Sequence, residues 1–551
     1  MWPTLRDFLS VPDELTGKGV RIAVVDGDFP SHPDITTNEQ RTTYKVMVME
    51  SGPQPKVFEA EPGPWRGGAH GLWAAAAAAG SGAESQSLYR GIAPEADLFL
   101  IAEYFPGQSQ DPEGRYAAHL KALEWVRDNW SKYEIRAVLS ARRCGIDSSL
   151  LPWQTEPIRI LCEEIAADGL LVMAGSGNTS DRTAGLTETA APSVFSVGGI
   201  VISPDGDLDR AEAFPGSRGT TFEGKWIPEI LAPAENIVLP HGTDEEIENH
   251  FYDKIDDLPR RYARTLGTSF SGPIALGAAA CLWQAHPSWT SLEMKTALVA
   301  SSIKRPQWSD LRAGLVSVEG ALAIEATEHP TALVTSPYQT WSEWRKRSVE
   351  YRMDQLSAGD SDQVRDVILS FVNDPFPDAA LQPISECLNH PKSEVRAATL
   401  CALASKTSEV NPDYIKEGFR DVAPIVRSAA VYLLQNCPAL WSECSASLSV
   451  LFNDTSLDVR YVSFNLARRM AHPRFAEEIV SGLEEDAHMN RISNFAARRD
   501  ALEAITGHRL PERPPYYVHG QPYYSDVRRD ARVDLARRWE DWLRQDWPRR
   551  A

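Results

Sequence analysis

The chain has 551 residues, 43% of them hydrophobic and 24% charged, which is a globular composition long enough for several domains at about 100–200 residues each. A formal net charge of −20 lacks the concentrated cationic surface that phosphate backbones require, so no nucleic-acid partner is expected. No apolar run reaches membrane-spanning length, and no membrane partner is expected either.

The opening MWPTLRDFLSVPDEL carries Arg6 and Asp7 and shows no charged-then-apolar leader pattern. The seven cysteines lack C-x-x-C spacing and read as buried free thiols. Both features lead to an expected cytoplasmic location. From residue 20 onward, short β-branched or apolar runs alternate with helical stretches. VRIAVVD (20–26), ADLFLIAEY (96–104), IRAVLSA (135–141), LLVMAGS (170–176) and VFSVGGIV (194–201) read as buried strands. HGLWAAAAAAG, AAHLKALEWVRDNW and IRILCEEIAADG between them read as helices. Such alternation predicts an α/β fold with a mostly parallel sheet and helices on both faces, and ligands collect beyond the carboxyl ends of its strands.

After about residue 335 the pattern is helical only. SDQVRDVIL, SEVRAATLCAL, APIVRSAAVYLL and LDVRYVSFNLA place Val364, Val395, Val426 and Val459 at intervals of 31, 31 and 33 residues, each followed by arginine. FAARRDALEAITG (495–507) is one more, degenerate unit. A fixed period of this kind predicts stacked helix pairs that bury their apolar faces only against neighbouring repeats. The pattern resembles HEAT-type repeats. The repeat arginines are expected to neutralise nearby carboxylates or helix ends rather than to form a ligand-binding ladder. The tail combines a Pro/Tyr-rich stretch with the basic helix ARVDLARRWEDWLRQDW, expected to cap the array, with a PPII-like binding segment as the alternative. The expected domains are thus 1–333 (α/β), 334–510 (helical repeats) and 511–551 (Pro/Tyr-rich segment and capping helix).

Four short stretches carry chemistry. LGTSFSGPIALGAAACLWQAHP (266–287) sets Ser269 among glycines at the start of a long small-residue helix, where unpaired N–H groups favour developing negative charge. Pro273 is expected in the first helical turn, where its missing N–H costs little. An ordinary helix cap would use the same residue types. Asp26 ends a buried strand, which suits a turn residue as well as a site carboxylate. His70 opens a helix between glycines, and Asn178 follows AGSG as an amide donor or a turn residue. A serine nucleophile needs a histidine base, an orienting carboxylate and an oxyanion donor, and the chain holds all of these at element ends.

Taken together and in order, VVDGDFPSHPDI, AHGLWAAAAAAG, GSGN and LGTSFSGP resemble the motifs of the subtilisin-like serine proteases over about residues 20–328. RGIAPEADLFLIAEY, APSVFSVGGI, EILAPAENI and AGLVSVEGALA support the same resemblance. It implies Ser269 as nucleophile, His70 as base, Asp26 as its orienting carboxylate and Asn178 as oxyanion donor, with no cofactor. It also places Ser140, Ala141, Arg142, Gly175 and Gly177 along the substrate groove.

The chain departs from the family pattern in places. The aspartate motif reads DGD, and Leu72 and Trp73 stand where the family commonly has Thr and His. VLSARRCG (138–145) replaces a Ser-Leu-Gly-Gly-type edge, so Arg142 and Arg143 either favour acidic residues in a bound peptide or pair with neighbouring carboxylates. Asp34 matches a position that ligates calcium in many relatives, yet no accompanying ligand loop is recognisable, and no metal is expected. No inhibitory pro-segment is recognised ahead of the aspartate motif. Residues 238–265 could form a lid or partner-gated loop, or a solvated insertion. The expected function is a serine endopeptidase whose helical half recruits or senses a protein partner. The alternative is a degenerate peptidase domain acting as a peptide-binding scaffold.

Overall fold

A computed structural model describes residues 2–48, 55–61, 70–103, 112–142, 148–241, 258–259, 261–324, 336–374, 376–406, 410–511 and 524–547. Its strands, in chain order, are β1 (Arg21–Asp26), β2 (Thr43–Met47), β3 (Lys56–Glu59), β4 (Asp97–Ala102), β5 (Ile135–Ser140), β6 (Leu171–Gly175), β7 (Phe195–Val201), β8 (Glu212–Ala213), β9 (Gly219–Thr220), β10 (Trp226–Ile227), β11 (Ile230–Pro240) and β12 (Tyr262–Leu266). The main sheet runs β12-β11-β7-β6-β5-β1-β4-β2-β3, with β8 beside β7 and a separate β9/β10 ribbon. From β2 to β11 the strands are parallel, and β3 and β12 pair antiparallel at the two edges.

The parallel strands read as unbroken apolar runs because both faces are covered. In β1, Ile22 and Val24 join a core with the helices His70–Ala79 and Thr268–Ala285. Ala23 and Val25 point into a second core, beneath the helices Pro112–Asn129 and Pro157–Ala167. β4 divides its side chains in the same way, as does β5 from Ala137 onward, as the period of two requires; Ile135, before the register irregularity, falls in the second core. The alanine-rich faces of the His70 and Ser269 helices pack on each other, since short side chains let two backbones approach closely. The expected α/β class and all five expected strands are present. β2, β3, β11 and β12 were not among the expected strands.

The remainder is helical. Helices Ser361–Leu369, Ser393–Leu403, Pro424–Asn436, Leu457–Met470 and Ile492–Thr506 pack in series and bury Val364, Val395, Val426 and Val459. The arginines after these valines pair with carboxylates, Arg365 within its own helix through Asp362 and Asp366, and Arg396 and Arg427 across to the next unit. Arg396 makes a bidentate pair with Asp421 (2.8 and 2.8 Å), and Arg427 pairs with Asp454 (2.6 and 2.7 Å). Asp421 and Asp454 precede the next helix of the series and accept hydrogen bonds from the N–H groups of Ala423 and Ser456, so each tie joins one unit to the next. Helix Asp526–Asp546 covers the end of the array and buries Trp539 completely. The expected boundary near 333 and the Pro/Tyr-rich stretch lie outside the described residues.

The two halves also meet through apolar side chains. Leu150, Leu151 and Phe222 belong to the cluster built by the helical series, and Trp153 meets Trp341 edge-on at 5.3 Å.

Candidate active site

Asp26, Glu103, Ser140 and Gly175 stand at or just beyond the carboxyl ends of β1, β4, β5 and β6, on one edge of the sheet. Asp26 is 1% exposed, and its Oδ1 accepts from the Gly27 N–H at 2.6 Å. Its Oδ2 lies 2.6 Å from Nδ1 of His70, the first residue of its helix. The His70 side chain keeps 39% of its surface exposed. Burial disfavours its imidazolium, but the charge and hydrogen bond of Asp26 outweigh burial, and the pKa is raised above the ordinary value. With Nδ1–H directed at a carboxylate, Nε2 is the basic nitrogen.

Ser269 is the second residue of helix Thr268–Ala285. The helix therefore begins earlier than the proline led us to expect. Pro273 sits one turn inside it and cannot donate to the Ser269 carbonyl. Gly267 precedes the helix at φ +137°, a conformation open to glycine, and gives the abrupt turn from β12 into the serine. The Ser269 N–H lies in the first turn, where no intrahelical acceptor is available.

Thr268 joins this turn to Asn178. Its N–H and Oγ1 both donate to Asn178 Oδ1, at 2.8 and 2.9 Å, while its Oγ1 accepts from the Gly177 N–H at 3.0 Å. The oxygen end of the Asn178 amide is thereby committed, and Nδ2 is left as the donor end. Gly177 has φ +118°, and a Cβ there would lie 2.5 Å from Gly185 Cα and Ser217 Oγ. On the other side of Ser269, the Phe270 ring lies 5.6 Å from the His70 ring. Ser269 is thus held between a residue tied to Asn178 and one packed on His70. Asp26 meets His70 directly, and the two chain neighbours of Ser269 meet Asn178 and His70.

The residues expected along the groove are anchored from below. Ser140 is fully buried and donates to Glu188 Oε1 at 2.7 Å, and the Ala141 N–H donates to the Val25 carbonyl. The Gly175 carbonyl accepts from Thr189 Oγ1, and a Cβ at Gly175 would lie 2.6 Å from the Thr268 carbonyl oxygen. Arg142 places a guanidinium nitrogen 3.7 Å from Glu103, which is the carboxylate-pairing alternative of its two expected roles. Arg143 lies outside the described residues. Leu72 and Trp73 point inward. Leu72 is fully buried, and Trp73 packs its ring 4.6 Å from that of His241 and 6.3 Å from that of Phe270.

One element under the site escaped the sequence reading. His119 is fully buried between two fully buried carboxyls, with Nδ1 2.6 Å from Glu103 and Nε2 2.5 Å from Glu188. Burial opposes ionisation of Glu188, yet His119 and the Ser140 hydroxyl outweigh it and lower its pKa. The available signal was Glu103, an acid ending an apolar strand run. Its partners come from two other elements.

Asp34 is buried, and its Oδ2 accepts from the Tyr262 hydroxyl at 2.5 Å. Burial pushes its pKa up, partly offset by that hydrogen bond. Among the described residues, no cluster of His, Cys, Asp and Glu is arranged to hold a metal ion. No helix among them is long and apolar enough to cross a membrane. Most of the segment 238–265 lies outside the described residues.

Residues 17–321 match the model of the Subtilase family. The chain is 30% identical over 321 residues to serine protease AprX of Bacillus subtilis (strain 168), covering 56% of this chain and 67% of that one. It is 24% identical over 309 residues to subtilisin BL of Lederbergia lenta, covering 56% and 92%. Among solved structures, fervidolysin from Fervidobacterium pennivorans, a keratinolytic enzyme related to subtilisin, aligns with a TM-score of 0.43 at 18% identity. That alignment covers 59% of this chain and 46% of fervidolysin, so the chain spans less than half of that protein's length.

Proposed function

The chain belongs to the Subtilase family, and from that premise we propose that it is a serine endopeptidase using Asp26, His70 and Ser269, with Asn178 as oxyanion donor. The observation that supports this reading best is the 2.6 Å contact of Asp26 with His70 Nδ1, beside a serine turn tied to Asn178. The Ser269 hydroxyl attacks the scissile carbonyl carbon as Nε2 of His70 takes its proton, and Asp26 stabilises the imidazolium that forms. Negative charge on the carbonyl oxygen is met by the Asn178 Nδ2 hydrogens and the Ser269 N–H. Collapse expels the amine with the proton from His70, leaving an acyl-enzyme. Water, deprotonated by the same imidazole, then releases the acid. The reaction needs no cofactor.

Residues 1–333 form the peptidase domain, including the groove residues Ser140, Ala141, Arg142, Gly175 and Gly177. Residues 334–510 form a HEAT-like array that recruits or senses a protein partner, and 511–551 close it. The free cysteines Cys162, Cys281, Cys387, Cys401, Cys437 and Cys444 suit a cytoplasmic location.

A fluorophosphonate probe tests the central claim. Labelling of the wild type that is lost in Ser269→Ala and His70→Ala is the expected result. A folded wild-type protein that resists the probe in the presence of candidate partners refutes the enzyme and favours a peptide-binding scaffold.

A further inference from the structure

Asn178 is followed immediately by a segment that belongs as much to the helical half as to the sheet. Thr179 Oγ1 lies 2.7 Å from Ser493 Oγ, and its carbonyl accepts from Ser217 Oγ at 2.9 Å. Asp181, 4% exposed, accepts from the N–H groups of Ser493 (3.2 Å) and Asn494 (2.8 Å) and from Asn494 Nδ2 (3.0 Å). Those N–H groups open helix Ile492–Thr506, whose own N-cap residue, Arg491, provides no side-chain cap. A carboxylate from the peptidase half therefore serves as the cap of a helix in the other half, where an N-terminus favours negative charge.

The second tie runs the opposite way. Asp458 lies in the first turn of helix Leu457–Met470 and is 7% exposed. It accepts from Arg182 Nε at 2.9 Å, from the Thr183 N–H at 3.1 Å and from Thr183 Oγ1 at 2.8 Å. The Arg182 guanidinium also lies over the Tyr461 ring at 3.7 Å. A buried carboxylate with three donors from one short loop is costly to break, since any donor withdrawn leaves charge unsatisfied. The groove edge after β5 is held similarly, with Ser428 Oγ 2.9 Å from Ser148 Oγ and Leu150 and Leu151 inside the helical core.

We infer that Asp181 and Asp458 are positioning residues for the Asn178 amide, so that the helical half completes the oxyanion site of the peptidase half. The inference rests on the proposed role of Asn178. Two helices grip the residues directly after it, while Thr268 grips its side-chain oxygen, and the amide is fixed only when both grips hold. A partner that shifts helix Leu457–Met470 or Ile492–Thr506 thereby changes acylation without touching Asp26 or His70.

The test uses the full chain and the rate of Ser269 phosphonylation by a fluorophosphonate probe across pH. Asp458→Asn is expected to slow labelling about tenfold or more, within the roughly 10²–10³-fold loss expected for a missing oxyanion donor in Asn178→Ala. The pH midpoint set by His70 stays in place. Asn178→Ala combined with Asp458→Asn labels no more slowly than Asn178→Ala alone, because both act on one amide. Thr183→Val, which removes a single donor and keeps the charge pair, slows labelling by about fivefold at most, the size of one net hydrogen bond. Should Asp458→Asn fail to fold, Thr183→Val and Asp181→Asn carry the same comparison. Wild-type rates in all the folded variants, or losses that multiply with Asn178→Ala, overturn the inference while leaving the triad standing. Absence of labelling in the wild type overturns the triad reading and the inference with it.

Discussion

Asp26→Asn isolates the contribution of the buried carboxylate. The substitution keeps the side chain's shape and removes its charge 2.6 Å from His70 Nδ1. Imidazolium charge is spread over the ring, so its centre lies about 4 Å from the carboxylate, where unit charges attract by about 4 kcal/mol at an effective dielectric near 20. That is about a thousandfold in rate. Loss of the enforced tautomer adds to it, for a total of about 10³–10⁴. The pH profile moves as well. His70 acts as a neutral base, so wild-type activity falls as pH drops through a pKa raised above its ordinary value. Without Asp26 the opposing effect, burial, prevails, and the midpoint shifts to lower pH. Phosphonylation rates from pH 5 to pH 9, with thermal unfolding as the control for folding, measure both quantities. A folded Asp26→Asn protein within tenfold of wild type, or one whose midpoint does not fall, refutes the argument.

Further outcomes follow from single contacts. Asn178→Ala lowers the phosphonylation rate by about 10²–10³-fold, and the same pH profile shows its His70 midpoint unchanged. His119→Ala leaves Glu103 and Glu188 buried without the ring between them, and denaturant melts should show a loss of about 3–5 kcal/mol. Arg427→Ala strands the buried Asp454 and costs a similar amount, whereas Arg365→Ala, whose partners Asp362 and Asp366 lie on its own helix and are exposed and half-buried, changes stability by less than about 1 kcal/mol in the same melts.

What the sequence made legible was what one segment states alone. The buried strands ending at Asp26, Ser140 and Gly175 are unbroken apolar runs, and their observed ends fall within two residues of the expected ones. The site residues stood out because strand ends and helix starts collect polar groups that have no packing role. β11 was hidden by Pro233 and Pro240 and by a register shift between Pro233 and Glu235. β2 and β3 are short and lie near the edge, with little apolar signal of their own. Arg142 could not be assigned without Glu103, which arrives from a different strand. Nothing in their own segments marks Asp181 and Asp458, because their burial exists only once the two halves are docked.

Asp26 hangs from the middle of the sheet, with β4 and β5 bonded along both sides of its strand. An anchor in the centre of a bonded lattice has no hinge, so the Asp26–His70 pair is built as a fixture. The amide arm is mounted on a bridge between two bodies. Under the proposed mechanism, a partner that moves the helical half therefore displaces the amide while the Asp26–His70 pair stays where it stands.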